Sequence, residues 1–117
     1  RVASNASAWL NRVKTGDVFS VPVSHGEGRF VCDPATLQRL RENGQIFTQY
    51  VDLDGKPTMQ SPFNPNGSVN AVEGIISPDG RVLGKMGHAE RIGKGLYRNV
   101  AGNWDMGLFR SGVEYFK

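Results

Sequence analysis

A strong turn signal between two β-rich segments constrains the fold more than any other feature of this sequence. Residues 71–76 and 81–86 are rich in branched apolar side chains, and Ser77-Pro78-Asp79-Gly80 lies between them. Proline, aspartate and glycine are the residues that tight turns favour, each for its own backbone geometry. The pattern therefore predicts a β-hairpin, and the fold class depends on what surrounds it.

Two further strands and one long loop are predicted in the part of the chain that precedes the hairpin. Residues 18–23 are β-rich but contain a proline, which must lie near a strand end, an edge or a bulge. Residues 45–51 form the second predicted strand. Residues 56–68 carry three prolines and little periodicity, which predicts a loop of a length that is often functional.

Three helices complete the predicted inventory. A short one covers residues 5–13, and a second covers residues 33–44, opening with Asp-Pro as N-cap and first turn and closing with Asn-Gly. The last begins near Asn103 or Asp105 and is predicted to turn an apolar stripe toward the core. That stripe comprises Met106, Phe109, Val113 and Phe116. Strands alternating with helices indicate an α/β fold, although these helices are few for covering both faces of a parallel sheet, so we expect a missing partner segment.

Composition excludes several classes of protein. The chain has 117 residues, enough for one domain, and no apolar run approaches the roughly 18 residues of a membrane span. Cys32 is the single cysteine, which excludes an internal disulfide and a multi-cysteine zinc site and fits a cytoplasmic protein. The net charge of +3 comes from 14 basic and 11 acidic residues that are interspersed, so a mixed solvated surface is favoured over a nucleic-acid-binding face.

The sharpest chemical candidate follows the second strand of the hairpin. Residues 84–91 contain His88 and Glu90, and in α/β folds reactive groups gather where strands end. Histidine is the natural general base near neutral pH, and a carboxylate two residues away can orient its ring. The alternative is a surface histidine beside a solvated Glu-Arg pair.

Two other segments carry candidate binding residues. Residues 24–29 place His25, Gly26 and Glu27 in a glycine-flanked loop, where the backbone can approach a ligand closely; the alternative is a plain exit from a strand. Residues 61–68 can present backbone N–H groups to a carboxylate or an oxyanion, and the alternative is an ordinary loop. The candidates within that loop are Asn64, Asn66, Gly67 and Ser68.

Cys32 is the one thiol that could act as a nucleophile. It lies between an apolar segment and a predicted helix start, and a helix N-terminus favours a thiolate. However, the adjacent Asp33 is negative and no glycine flanks the cysteine, as a sharp nucleophile turn would require. A structural role is the favoured interpretation.

Three motifs in order resemble one family, the glutaminase domains of phosphoribosylformylglycinamidine synthases. They are VPVSHGEGRF at 21–30, NPNGS at 64–68 and GKMGHAER at 84–91, and the flanks 1–5 and 112–116 are also similar to that family near its C-terminus. The resemblance implies a class I glutamine amidotransferase with a flavodoxin-like α/β fold. Such domains attack glutamine with a cysteine, form a glutamyl thioester and release ammonia.

The resemblance also implies roles and partners. His88 matches the base of the triad and Glu90 its orienting carboxylate. The Asn64 to Ser68 loop is expected to line the glutamine pocket, and the motif residues His25 to Gly28 are expected near the active site or a domain interface. Ammonia is expected to pass to a synthetase domain that uses ATP and magnesium to make formylglycinamidine ribonucleotide in purine biosynthesis; no cofactor or metal is expected on this segment.

The chain departs from the family at the nucleophile, because Cys32 follows the first motif whereas the family's cysteine precedes all three. Residues 1–117 are therefore interpreted as the C-terminal portion of the domain, which is inactive alone and depends on the remainder of that domain. A small basic module that binds RNA or another polyanion is the competing hypothesis, and a regulatory subunit without activity is a third.

Overall fold

A three-stranded antiparallel sheet lies at the centre of the computed structural model, which describes all residues from Arg1 to Lys117. The strands are β1 (Ile46–Gln49), β2 (Val72–Ile76) and β3 (Leu83–Lys85), in the order β1-β2-β3. Because β2 is central, β3 is an edge strand whose outer backbone groups have no partner strand. The residues that follow β3 therefore emerge at an open side of the sheet.

The predicted hairpin is confirmed. β2 and β3 pair with Ile76 opposite Leu83 and Gly74 opposite Lys85. The turn closes through hydrogen bonds from Ser77 N to Val82 O (2.9 Å) and from Gly80 N to Ser77 O (2.9 Å). The sequence could predict this element because the groups that close the turn lie within a few residues of one another along the chain.

The second predicted helix is confirmed as α1 (Pro34–Glu42). Asp33 caps it by accepting a hydrogen bond from Thr36 N (2.8 Å), and this bond lowers the pKa of the Asp33 carboxyl below its usual value. Gly44 follows the helix with a φ of +65°, a left-handed conformation that glycine adopts without a steric penalty. The helix buries no residue fully, so it lies on the surface of the molecule.

Two predicted elements near the N-terminus are wrong. Residues 18–23 form no strand, because the segment runs alongside the later loops and its Pro22 carbonyl accepts from His88 N (2.9 Å) instead of from a sheet neighbour. The helix predicted over residues 5–13 is reduced to one 3-10 turn at Ala8–Leu10. Ser7 begins that turn and also donates to Gly80 O (2.6 Å), so a contact with the hairpin turn determines its geometry.

The last helix, α2 (Leu108–Tyr115), begins later than predicted and faces the other way. Leu108, Ser111 and Gly112 are its buried residues. Phe109 and Val113 are 61% and 60% exposed, so the predicted stripe is wrong except for buried Met106, which precedes the helix. The cause is the position of Trp9, whose ring packs against the face of the helix that carries Gly112. A Cβ at Gly112 would lie 2.5 Å from this ring, so a residue without a side chain is needed there.

The core joins the sheet to the N-terminal segment and to α2. It comprises Val2, Leu10, Val13, Phe47, Ile76, Ala89, Met106 and Leu108. A sheet with helices is observed, as predicted, but all its strands are antiparallel, and the flavodoxin-like arrangement stays a prediction.

Neither helix is long and apolar enough to cross a membrane.

Candidate active site

The loop that leaves β3 carries a hydrogen-bonded imidazole and carboxylate. His88 Nδ1 lies 2.6 Å from Glu90 Oε1. A turn brings the two together, because Arg91 N donates to His88 O (3.2 Å) and folds the chain back over Ala89. Ala89 is buried in the core, so the turn is anchored while both polar side chains remain accessible.

The charge on Glu90 determines which nitrogen of His88 carries the proton. The hydrogen bond from the His88 ring is the main cause that lowers the pKa of Glu90 below its ordinary value of 4.5, with help from its own backbone N–H and from Arg91. An ionised carboxylate can only accept, so Nδ1 donates to it. In the neutral ring, Nε2 then holds a free lone pair, as a general base requires.

A groove of about 550 Å³ runs along the edge strand and contains both catalytic candidates. One wall is β3 with the loop that follows it, and the other is formed by apolar side chains of the N-terminal segment and α2. The apolar lining includes Trp9, Val82, Leu83, Leu108 and Phe109. The groove thus places an open edge strand, an apolar wall and the His88–Glu90 pair beside one another.

The first motif (21–30) and the second motif (64–68) contact each other. Asn66 Nδ2 donates to Gly28 O (3.0 Å) and lies 3.2 Å from His25 Nδ1, which accepts from the amide. The proton of the neutral His25 ring is therefore on Nε2, a buried atom without a hydrogen-bond partner. Gly28 packs against the ring so closely that a Cβ there would lie 2.7 Å from it.

Asn64 and Ser68 hold the long loop together. Asn64 is 2% exposed; its amide donates to Thr58 O (3.2 Å) and Ser68 O (3.1 Å) and its oxygen accepts from Ser68 N (2.9 Å). Ser68 Oγ accepts from Phe30 N (3.0 Å), which ties the loop to the last residue of the first motif. These side-chain groups are occupied within the protein.

The remaining candidates in these two motifs, Gly26, Glu27 and Gly67, are exposed. Whether any of these motif residues contacts glutamine stays a prediction.

Two contacts that sequence reasoning missed connect the His88 loop to the first motif. His88 N donates to Pro22 O, and Arg91 Nη1 donates to Ser24 Oγ. Pro22 and Ser24 both belong to the first motif, which also contacts the second motif through Asn66. The three motifs therefore form one connected layer. Pro22 and Ser24 were quoted in the motif, but no local pattern indicates a contact across more than sixty residues.

Cys32 lies outside this arrangement. It is a free, half-buried thiol directly before the Asp33 cap of α1, and no hydrogen bond joins it to His88. The His88 ring is hydrogen-bonded to Glu90. The site within residues 1–117 therefore contains the hydrogen-bonded His88–Glu90 pair, and no thiol is hydrogen-bonded to it.

Comparison with known proteins agrees with the resemblance noted in the sequence. Residues 1–116 match the model of the CobB/CobQ-like glutamine amidotransferase domain. Among curated relatives, one from Moorella thermoacetica is 44% identical over 96 residues, covering 82% of this chain and 40% of the relative. One from Chlorobaculum tepidum is 42% identical over 95 residues, with 81% and 40% covered. One from Synechococcus elongatus is 38% identical over 114 residues, with 97% and 45% covered.

All three relatives carry the name phosphoribosylformylglycinamidine synthase subunit PurQ. The chain spans less than half the length of each of them.

Proposed function

Because this chain belongs to the CobB/CobQ-like glutamine amidotransferase family, we propose that it supplies two members of a Cys-His-Glu triad that hydrolyses glutamine. His88 is the general base and Glu90 is the carboxylate that orients it. The observation that carries this proposal is the 2.6 Å contact between His88 Nδ1 and Glu90 Oε1, beside an open groove. The contact leaves Nε2 available for proton transfer.

The chemistry follows from the free lone pair of His88. Nε2 takes the proton of a cysteine thiol, and the thiolate attacks the carbon of the glutamine carboxamide. The tetrahedral intermediate collapses as the imidazolium returns the proton to the leaving amine, so ammonia departs and a glutamyl thioester remains. Nε2 then deprotonates a water that attacks the thioester, giving glutamate and the regenerated thiol. Glu90 stabilises the imidazolium at both stages.

The thiol in this proposal comes from polypeptide outside residues 1–117. Cys32 is a poor candidate because no glycine flanks it, as a sharp nucleophile turn would require, and because the family's nucleophile precedes the three motifs. Without a nucleophile, covalent catalysis is lost, so residues 1–117 are inactive alone. The same outside polypeptide would complete the sheet along β3 into a flavodoxin-like fold.

The biological role is proposed from the names of the relatives, which are subunits of phosphoribosylformylglycinamidine synthase. Glutamine is then the substrate, and the ammonia goes to a synthetase partner that converts formylglycinamide ribonucleotide to its amidine. ATP and magnesium belong to that partner. The partners of this segment are the remainder of the glutaminase domain and the synthetase.

The proposal is tested by supplying ammonia from two sources. In the complete enzyme, His88→Ala is expected to lower the rate of amidine formation from glutamine by about a thousandfold or more, because removing one triad member disables the whole unit. The rate with ammonium chloride should equal that of the unaltered enzyme, because the synthetase is untouched. Residues 1–117 alone serve as the blank. Glutamine-dependent synthesis within about tenfold of the unaltered rate would contradict the proposal.

A further inference from the structure

A buried ion pair lies directly beneath the loop that carries His88. Lys85 Nζ is 2.9 Å from Glu73 Oε1, and the two side chains are only 9% and 6% exposed. Glu73 belongs to the central strand β2 and Lys85 is the last residue of the edge strand β3. Buried charges are expensive to desolvate and persist when they are fully hydrogen-bonded.

Both charged side chains form hydrogen bonds with the backbone of Gly87, the residue before His88. Gly87 N donates to Glu73 Oε1 (2.7 Å), and Lys85 Nζ donates to Gly87 O (2.8 Å). The peptide groups on either side of Gly87 are thereby fixed, and the second of them is the one that leads into His88. Thr48 Oγ1 donates to the other oxygen of Glu73, which holds the carboxylate from β1.

Gly87 is closely packed between Val21 and Glu73. A Cβ at Gly87 would lie 2.3 Å from Val21 Cγ2 and 3.0 Å from Glu73 Oε1. The loop is therefore held between the first motif on one side and the ion pair on the other. His88 N also donates to Pro22 O (2.9 Å), so the backbone on both sides of the Gly87–His88 peptide is hydrogen-bonded.

The ion pair borders two different cavities. Glu73 lines a separate cavity of about 400 Å³, and Lys85 lines both that cavity and the groove that contains His88. In the cavity, burial and the negative charge of Glu73 together raise the pKa of Tyr50 to about 12. Glu73 therefore contacts the loop through Gly87 N and does not itself line the groove that contains His88.

We propose that Glu73 and Lys85 are positioning residues that hold the His88 imidazole in its productive place during glutamine hydrolysis. This inference rests on the function proposed above. A buried ion pair can often be replaced by well-packed apolar side chains of similar volume without loss of stability. If these charges served stability alone, such a replacement would leave catalysis unchanged.

The test is the double variant Glu73→Leu with Lys85→Met in the complete amidotransferase. We expect the glutaminase kcat per titrated active-site thiol to fall about 10- to 100-fold with the KM for glutamine nearly unchanged, because a misplaced base affects the chemical step. The matched control removes an exposed pair, Arg12→Gln with Glu114→Gln, and should leave kcat unaltered. Glu73→Gln retains an acceptor for Gly87 N and should recover part of the lost rate.

Several results would overturn the inference. One is a folded double variant whose kcat per active site stays within about twofold of the unaltered enzyme; another is a rise in KM at constant kcat. If the double variant does not fold, Thr48→Val replaces it, since valine keeps the shape and removes only the hydroxyl that binds Glu73; an unchanged kcat there overturns the inference equally. Full activity in His88→Ala would instead defeat the proposed function itself.

Discussion

At the scale of single residues, the site depends on a carboxylate that stays ionised beside an imidazole. His88 and Glu90 are two positions apart, and the turn closed by Arg91 N brings their side chains to 2.6 Å. The sequence could indicate this pair because strand, turn and both residues are local to one another. It could not indicate Glu73, whose carboxylate reaches Gly87 from another strand. Sequence spacing predicts a contact of the first kind but not one of the second.

The first prediction concerns the pKa of Glu90. We expect its carboxyl to titrate below the ordinary 4.5, mainly because the His88 ring donates a hydrogen bond to it. A carboxyl whose pKa is lowered on folding contributes stability above its unfolded pKa, and this contribution is lost as the pH falls through the lowered value. Carbon-detected NMR titration of residues 1–117 measures the value. His88→Ala should return it toward 4.5, whereas an ordinary pKa in the unaltered chain would contradict the assigned hydrogen bond.

At the scale of elements, local signals sufficed where a turn or cap closes on itself. The Ser77–Gly80 turn and the Asp33 cap of α1 are of this kind. Periodicity failed for α2, where Phe109 and Val113 matched a core-facing stripe but lie on the surface. A stripe indicates which side chains share a face, and it does not indicate what covers that face. In this chain Trp9 covers the opposite, smaller face.

The second prediction tests this packing of α2 against Trp9. Gly112→Ala would favour a helix by about 1 kcal/mol on intrinsic propensity. However, the new Cβ would lie 2.5 Å from the Trp9 ring, and overpacking typically costs about 1–3 kcal/mol. We therefore expect a net loss of stability, measured as the free energy of unfolding in urea. Gly84→Ala is the control, since nothing lies within 4 Å of its added Cβ; a Gly112→Ala variant more stable than the unaltered chain would contradict the packing.

At the scale of the whole molecule, three motifs that lie far apart in the chain become one hydrogen-bonded layer. Asn66 joins the long loop to His25, and Arg91 joins the His88 loop to Ser24. The resemblance to a family predicted that these segments belong together, and the physical links between them became visible only in three dimensions. The same layer borders an open edge strand and an exposed apolar surface on α2. Such a surface fits the proposal that the thiol arrives on additional polypeptide.

The central claim is that Glu90 holds His88 in the tautomer that a base requires, and Glu90→Gln tests it most directly. A glutamine amide at this position can donate to Nδ1, which places the ring proton on Nε2 and removes the lone pair that must accept the thiol proton. The measurement is the steady-state kcat of glutamine hydrolysis by the complete amidotransferase. The account predicts a fall of about a thousand- to ten-thousandfold with little change in KM. A kcat within about tenfold of the unaltered enzyme would contradict it.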